Sequence, residues 1–88
     1  MVVFTRHARA RMRERGILEG EVTQTIESGQ LVEVRQGRHV RRQVFKATYL
    51  WHGKQYPHKE VTVVYVEETG RTTVLTSIAR YGRWGTLP

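Results

Sequence analysis

The sequence contains no cysteine and no aspartate, only two prolines and no long apolar run. Without cysteine the chain has neither a disulfide scaffold nor a thiolate metal site, so a compact core has to stabilise it. Without aspartate there is no obvious carboxylate cluster for Mg²⁺, which argues against a two-metal nuclease. We therefore expect a protein that works without a metal or any other cofactor.

The apolar segments are also too short for a membrane. None approaches the roughly 20 residues that cross a bilayer, and residues 1–5 are too few for the apolar segment of a signal peptide. A cytoplasmic protein with no membrane partner is the expectation.

Positive charge is what the chain has in excess. Its 88 residues suit one small domain, and 15 basic side chains against eight glutamates give a net charge of +7. Twelve of the 15 are arginine, whose planar fork matches phosphate oxygens, so an anionic partner such as RNA or DNA is indicated. The alternative is an arginine-rich genome composition without functional meaning.

The first half of the sequence reads as a short strand followed by two helices. After a strand over 2–4, Thr5 is placed to cap a helix that runs from Arg6 to about Arg15 and ends at Gly16. A second helix is expected over about 18–28, with Gly29 as a left-handed residue at its end.

From residue 30 onward, alternating β-branched and aromatic residues predict four strands, at about 31–36, 40–51, 59–67 and 72–80. Short turns join them, so they should pair antiparallel. The predicted fold is α+β: one domain over 1–88, with a helical hairpin at about 6–28 packed on one face of a four- or five-stranded antiparallel sheet at about 31–80, and a basic, aromatic tail at 81–88. The helical side chains expected to fill the core are Ala8, Met12, Leu18, Val22 and Ile26.

The first helix carries arginine at every odd position from 9 to 15. At about 100° per residue, His7, Arg11 and Arg15 form one stripe beside the buried Ala8–Met12 seam, and Arg9 and Arg13 form another. Such side chains can rise from a packed stem and present their charge to phosphate. The alternative is purely structural: the arginines pair with Glu14, Glu19 or Glu21, and His7 bonds to the chain.

This run, His7-Ala8-Arg9-Ala10-Arg11-Met12-Arg13-Glu14-Arg15-Gly16-Ile17, followed by an acidic helix and strands ending in Val74-Leu75-Thr76-Ser77-Ile78, resembles the family called domain of unknown function 4258. That family is similar in layout to the RelE/ParE-like toxins. The resemblance implies two helices on a curved antiparallel sheet and, by extension, an endoribonuclease toxin held by an acidic antitoxin protein. His7, Arg11 and Arg15 match the motif, and no established catalytic role comes with them.

Metal-independent RNA cleavage needs a base, an acid and cations around the phosphate under attack by a ribose 2′-hydroxyl. We predict His7 as the base, Arg11 and Arg15 as cations, and Tyr81 as either a proton donor or a surface on which a base stacks. Among the other histidines, His39 is expected to contact phosphate and His52 to be solvated. His58 either reaches the site or lies in an exposed loop.

Further basic residues are predicted to hold the nucleic-acid backbone: Arg9, Arg13, Arg38, Arg41, Arg42, Lys59, Arg80 and Arg83. The segment from Arg80 to Gly85 interleaves basic and aromatic residues, a composition that stacks bases while holding phosphates. The alternative for Trp84 is that it packs over an edge of the core.

The function these features predict is a toxin-like, metal-independent endoribonuclease, an mRNA interferase that acts on RNA or ribosome-bound mRNA. Two alternatives remain open. One is a module that binds nucleic acid without cutting it, and the other is a protein-directed toxin or adaptor that docks an acidic partner.

Overall fold

The computed structural model describes residues 1–84, so residues 85–88 of the predicted tail lie outside it. It has two helices and five strands, which confirms the α+β class. In chain order the elements are β1 (Val2–Phe4), α1 (Arg6–Arg15), α2 (Glu19–Ser28), β2 (Gln30–Arg35), β3 (Arg38–Trp51), β4 (Lys54–Glu68) and β5 (Arg71–Gly82).

The strands form one sheet in the order β1-β5-β4-β3-β2. Strands β2 to β5 are an antiparallel meander, as predicted from their short turns. Strand β1 pairs with β5 in parallel, with Val3 opposite Thr73, so the prediction of an antiparallel sheet is wrong at this edge. Both helices and strands β2 to β4 separate the two strands in sequence, and no tight turn fixes their relative direction.

Local signals set the boundaries of α1. The Thr5 hydroxyl accepts a hydrogen bond from the Ala8 N–H at 3.0 Å, which caps the first turn. At the other end Gly16 adopts φ 68°, a left-handed conformation that favours glycine, and the Ile17 N–H returns to the Met12 carbonyl. The predicted start and end of this helix are confirmed.

The end of α2 differs from the prediction. Gly29 has φ −70° and ψ 161°, so it is extended rather than left-handed, because the chain continues directly into β2. Glycine is required there for another reason. A Cβ at this position would clash with the Thr25 carbonyl oxygen and lie 3.0 Å from that of Arg42.

Both helices pack on one face of the sheet and leave the other face without a helical layer in the part of the chain that the structure describes. Helix α1 lies against β5, and α2 lies against β3 and β4. The buried apolar core consists of Ala8, Met12, Ile17, Val22, Val61, Val63, Tyr65 and Val74. The prediction that Leu18 belongs to this core is wrong, since it is 66% exposed; it precedes α2, and Ile17 is buried in its place.

Strand β4 begins at Lys54, five residues before the predicted start, because the turn that joins it to β3 is only His52-Gly53. Pro57, which falls between the predicted strands at 40–51 and 59–67, lies inside β4. It is opposite the irregularity between Lys46 and Tyr49 of β3, where the missing N–H of proline costs no regular ladder bond.

Candidate nucleic-acid interface

Helix α1 exposes nearly all of its charge. Its ten residues contain five arginines and one glutamate, a net charge of +4, and its only buried residues are Ala8 and Met12. Because the apolar seam faces β5, Arg6, Arg9 and Arg13 are exposed on the outer surface, and Arg11 is partly exposed. We call the side chains of Arg6, His7, Arg9, Arg11 and Arg13 the basic face of α1.

The first two members of the predicted catalytic stripe lie on this basic face. His7 is exposed, and its imidazole forms no hydrogen bond or ion pair within residues 1–84. Arg11, one turn further, donates to a Glu14 carboxylate oxygen at 2.6 Å. This hydrogen bond and the charge of Arg11 lower the pKa of Glu14. The pair is exposed, so solvent and salt screen it.

Arg15 is turned toward the sheet. Its guanidinium donates to the Ser77 carbonyl at 2.5 Å, on the β5 side that β1 leaves unpaired because β1 reaches only Val74. At a rise of about 1.5 Å per residue, some 12 Å of helix axis separates Arg15 from His7. The stripe therefore runs along the flank of α1 and does not close around one hollow.

Tyr81 reaches α1 through the backbone. Its hydroxyl donates to the Arg15 carbonyl at 2.8 Å. Burial raises the pKa of Tyr81, and the charge of Glu21 adds to the effect. A phenol with a raised pKa whose proton is already donated to a carbonyl is a poor proton donor to a substrate. The placement of Tyr81 therefore favours its role as a stacking surface over its role as a proton donor.

Three aromatic rings stack at the C-terminal end of α1, and we call them the aromatic stack: Tyr81, Trp51 and His52. Tyr81 and Trp51 have ring centroids 4.8 Å apart and an interplanar angle of 12°. Trp51 and His52 are 4.4 Å apart at 16°. Gly16 packs on the rings so closely that a Cβ there would lie 2.9 Å from Trp51. His52 is exposed, as expected of a solvated histidine, and it also extends this stack.

Lys59 is predicted to bind phosphate, but the structure places it in the interior, 2% exposed. Its ammonium donates to the Gly16 carbonyl at 2.5 Å and to a Glu21 oxygen at 2.6 Å. It also lies 5.5 Å from the ring centroids of Tyr49 and Tyr81. The Lys59 side chain therefore contacts α2, the end of α1 and the rings of Tyr49 and Tyr81. Its ammonium is buried and is not presented to a ligand.

The other residues predicted to hold the nucleic-acid backbone fall into two groups. Some are committed within the protein: Arg9 pairs with Glu19, Arg42 and Arg80 share Glu60, and Arg41 donates to the Tyr65 hydroxyl and the Gly29 carbonyl. The others are exposed and have no carboxylate within 4 Å in the described part of the chain: Arg13, Arg38 and Arg83.

Two histidines have internal contacts. His39 stacks on Tyr65, with ring centroids 5.3 Å apart. His58 is 8% exposed and its Nδ1 accepts a hydrogen bond from the Trp84 N–H at 3.1 Å. Trp84 thus packs on the sheet, in keeping with the structural alternative for the tail. The His58 imidazole is therefore not presented to a ligand, whereas His39 is half-buried against Tyr65.

Arg35 is a further candidate that the motifs of the sequence did not bring out. With Arg38 it lines an open hollow of about 320 Å³ beside the turn between β2 and β3. The signal was present in the sequence, because Arg35-Gln36-Gly37-Arg38 sets two arginines symmetrically around a glycine-containing turn.

Residues 1–84 contain neither a metal-binding cluster nor a membrane-spanning helix. No group of three or more His or Glu side chains in this range comes close enough together to hold a metal ion. Neither helix in this part of the chain is long and apolar enough to cross a membrane.

Comparison with known proteins identifies the family. No curated protein and no solved structure matches the chain. Residues 4–79 match the family model described as Domain of unknown function (DUF4258). This match spans β1, both helices and most of the sheet, so the chain belongs to the DUF4258 family.

Proposed function

We propose that this chain binds single-stranded RNA, with the basic face of α1 holding the phosphate backbone and the aromatic stack receiving an unpaired base. The observation that carries the proposal is the net charge of +4 on a ten-residue helix whose apolar side is buried. A polyanion is the partner that such a surface fits.

The protein itself neutralises this charge poorly. Arg9 and Arg13, like Arg11 and Arg15, repel each other at a spacing of four residues, and no acidic residue stands in the first turn to favour the helix dipole. Glu14 of α1 and Glu19 of α2 pair with arginines of α1, and both pairs are exposed. Phosphate oxygens can displace such weakly held partners and relieve the repulsion.

The aromatic stack supports RNA with unpaired bases over duplex DNA. Stacking on an aromatic ring requires a base that has left its own stack, as in single-stranded RNA. The Tyr81 hydroxyl and Gly16 hold the stack against the end of α1. A strand whose phosphates follow the helix therefore meets the rings where the helix ends.

Metal-independent cleavage is a second candidate, because the His7 imidazole is exposed, unpartnered within residues 1–84 and one turn from Arg11. In this mechanism His7 takes the proton of the 2′-hydroxyl and Arg11 stabilises the charge on the phosphate. We further propose that this chain shares the layout of the RelE/ParE-like toxins, a similarity that would support the same reaction. It also suggests an acidic antitoxin that competes with RNA for α1.

Binding is tested by fluorescence anisotropy with a labelled single-stranded RNA over a range of salt concentrations. Arg6 and Arg13 are exposed and form no ion pair among the described residues, so Arg6→Gln/Arg13→Gln removes charge without breaking an internal interaction. We expect weaker binding and a log–log salt slope smaller by about 0.7 for each phosphate that the variant no longer neutralises. Arg71→Gln, which removes a charge from the β4–β5 turn, is the control and should bind as the wild type does. Equal effects of the two variants would contradict a role for α1.

Cleavage is tested separately, by incubating the domain with RNA in EDTA, with and without ribosomes. Cleavage by the wild type that His7→Ala abolishes, while RNA affinity is kept, would establish the second candidate. Intact RNA in both samples alongside normal affinity would leave a binding module.

A further inference from the structure

The three two-residue turns of the sheet carry different charge pairs. Turn Gln36-Gly37 is flanked by Arg35 opposite Arg38, and turn Thr69-Gly70 by Glu68 opposite Arg71. The third, His52-Gly53, is flanked by Trp51 opposite Lys54. Directly opposed residues in a sheet are close neighbours, so opposite charges stabilise the pair and like charges destabilise it. Only the first of these turns sets like charges against each other.

Neither arginine of this pair forms an ion pair within residues 1–84. Arg71 and Glu68 form an ion pair at 3.4 Å, whereas neither Arg35 nor Arg38 has a carboxylate within 4 Å in that part of the chain. Both side chains are exposed and free to turn toward a ligand.

The two arginines border a concave surface. The hollow of about 320 Å³ is lined by Glu33, Arg35, Gln36, Arg38, Val40 and Val64. The hollow is wide enough to admit a phosphate group. Val64 lies between the core residues Val63 and Tyr65, so it faces away from the helices, and the hollow opens on the sheet face opposite α1.

We propose that this hollow is a second anion site, which binds a phosphate group between the guanidinium groups of Arg35 and Arg38. Two planar forks can each donate a pair of hydrogen bonds to phosphate oxygens, and the bound anion removes the repulsion between them. The Gln36 amide supplies a further donor at the rim. The site is separate from the basic face of α1 and does not depend on RNA binding there.

Glu33 provides a sensitive probe of the site. Its carboxylate lines the same hollow and forms no ion pair within 4 Å among the described residues. A negative charge there opposes an anionic ligand, so Glu33→Gln should strengthen phosphate binding several-fold. A hollow without a ligand role predicts no such gain.

The central test uses Arg35→Glu, which recreates the Glu–Arg arrangement of the β4–β5 turn. We expect a melting temperature higher by roughly 2–5 °C in phosphate-free buffer, since a repulsive pair becomes attractive. Titration of inorganic phosphate, followed by NMR of the Arg35 and Arg38 side-chain N–H groups and the Gly37 amide, should shift these signals in the wild type. It should leave the corresponding Arg38 and Gly37 signals of the variant unchanged.

Arg71→Glu is the matched control, because it changes the net charge equally at the other turn. It should lower the melting temperature and leave phosphate binding at residues 35–38 intact. Shifts of similar size in the wild type and in Arg35→Glu, or no shift in the wild type, would overturn the proposal.

Two further titrations identify the source of the phosphate. If RNA supplies it, Arg35→Gln/Arg38→Gln lowers RNA affinity on its own and adds to the effect of Arg6→Gln/Arg13→Gln. If a phosphorylated small molecule supplies it, a nucleoside monophosphate shifts the Arg35 and Arg38 signals while the RNA affinity of the turn variant equals that of the wild type. Either result supports the site.

Discussion

At the scale of single residues, the structure separates basic side chains that hold the fold from those that are free to bind. Lys59 and Arg41 have the same charge as Arg6 and Arg13, but they are fixed by internal acceptors. All four side chains contribute equally to the net charge of the sequence. Only the environment of each head group distinguishes them, so the site is smaller than the net charge suggests.

The Lys59–Glu21 pair provides a direct check of this distinction. Replacing Lys59 with methionine removes the cation that pairs with the Glu21 carboxylate, which keeps only the Leu18 N–H as a donor, and it leaves the Gly16 carbonyl without the lysine donor. The expected loss of unfolding free energy is about 3–5 kcal/mol, measured by urea denaturation. Lys54→Met, at an exposed lysine over the Tyr56 ring, should cost less than about 1 kcal/mol. Equal losses for the two variants would show that Lys59 is not a structural residue.

Two half-buried tyrosines make the free energy of unfolding sensitive to alkaline pH. Burial raises the pKa of Tyr49 and Tyr81 above the ordinary value of 10.0. For a pKa raised on folding, the stabilisation is complete below the unfolded value and is lost as the pH rises through the folded value. We therefore expect the free energy of unfolding to fall above about pH 10.

The Tyr81→Phe variant tests which group is responsible. It should be less stable than the wild type at pH 8 by about 1 kcal/mol, because the hydrogen bond to the Arg15 carbonyl is absent. Its alkaline loss of stability should be shallower, since one of the two tyrosines with a raised pKa is gone. A wild-type stability that stays flat to about pH 12 would contradict this explanation.

At the scale of elements, two glycines in the helical region should respond in opposite ways to the same change. Gly16 ends α1 at φ 68° against Trp51, so Gly16→Ala meets both backbone strain and a clash, with an expected cost of more than about 1 kcal/mol. Gly20 lies in α2 with open space around it, so Gly20→Ala should stabilise by about 0.5 kcal/mol. Thermal denaturation of both variants checks the pair, and a gain for Gly16→Ala would be the contrary result.

Local sequence signals predict the bounds of elements and the pairing of neighbouring strands. The Thr5 cap and the Gly16 stop act within one turn of helix, so the bounds of α1 could be predicted. Short turns likewise predicted the meander. The direction of β1 could not be predicted, because its partner β5 begins about 70 residues away and no local constraint relates them.

Side-chain environments were harder to predict than elements. Strand periodicity places Lys59 on the same face as Val61 and Val63, but it does not say whether the lysine head finds an acceptor inside. Glu21 and the Gly16 carbonyl come from distant parts of the chain and provide one. The aromatic stack has the same origin, since Tyr81 and Trp51 meet only through the pairing of β3, β4 and β5.

At the scale of the whole molecule, the two surfaces that we propose to bind anions are separate. The basic face of α1 lies on the helical side of the sheet, and the Arg35–Arg38 pair lies at the β2 edge on the opposite side. A strand of RNA bound to α1 therefore does not automatically reach the turn. The two sites can be removed independently, and their contributions should add if they do not interact.

RNA that lies along α1 and ends on the aromatic stack should perturb both features together. The most direct measurement is an NMR titration of the ¹⁵N-labelled domain with a short single-stranded RNA. We expect the largest chemical-shift changes at the α1 arginine side chains and at the Trp51 indole N–H. In the Arg6→Gln/Arg13→Gln variant these changes should be absent. Saturable binding with the α1 and Trp51 signals unmoved would contradict this mode of binding.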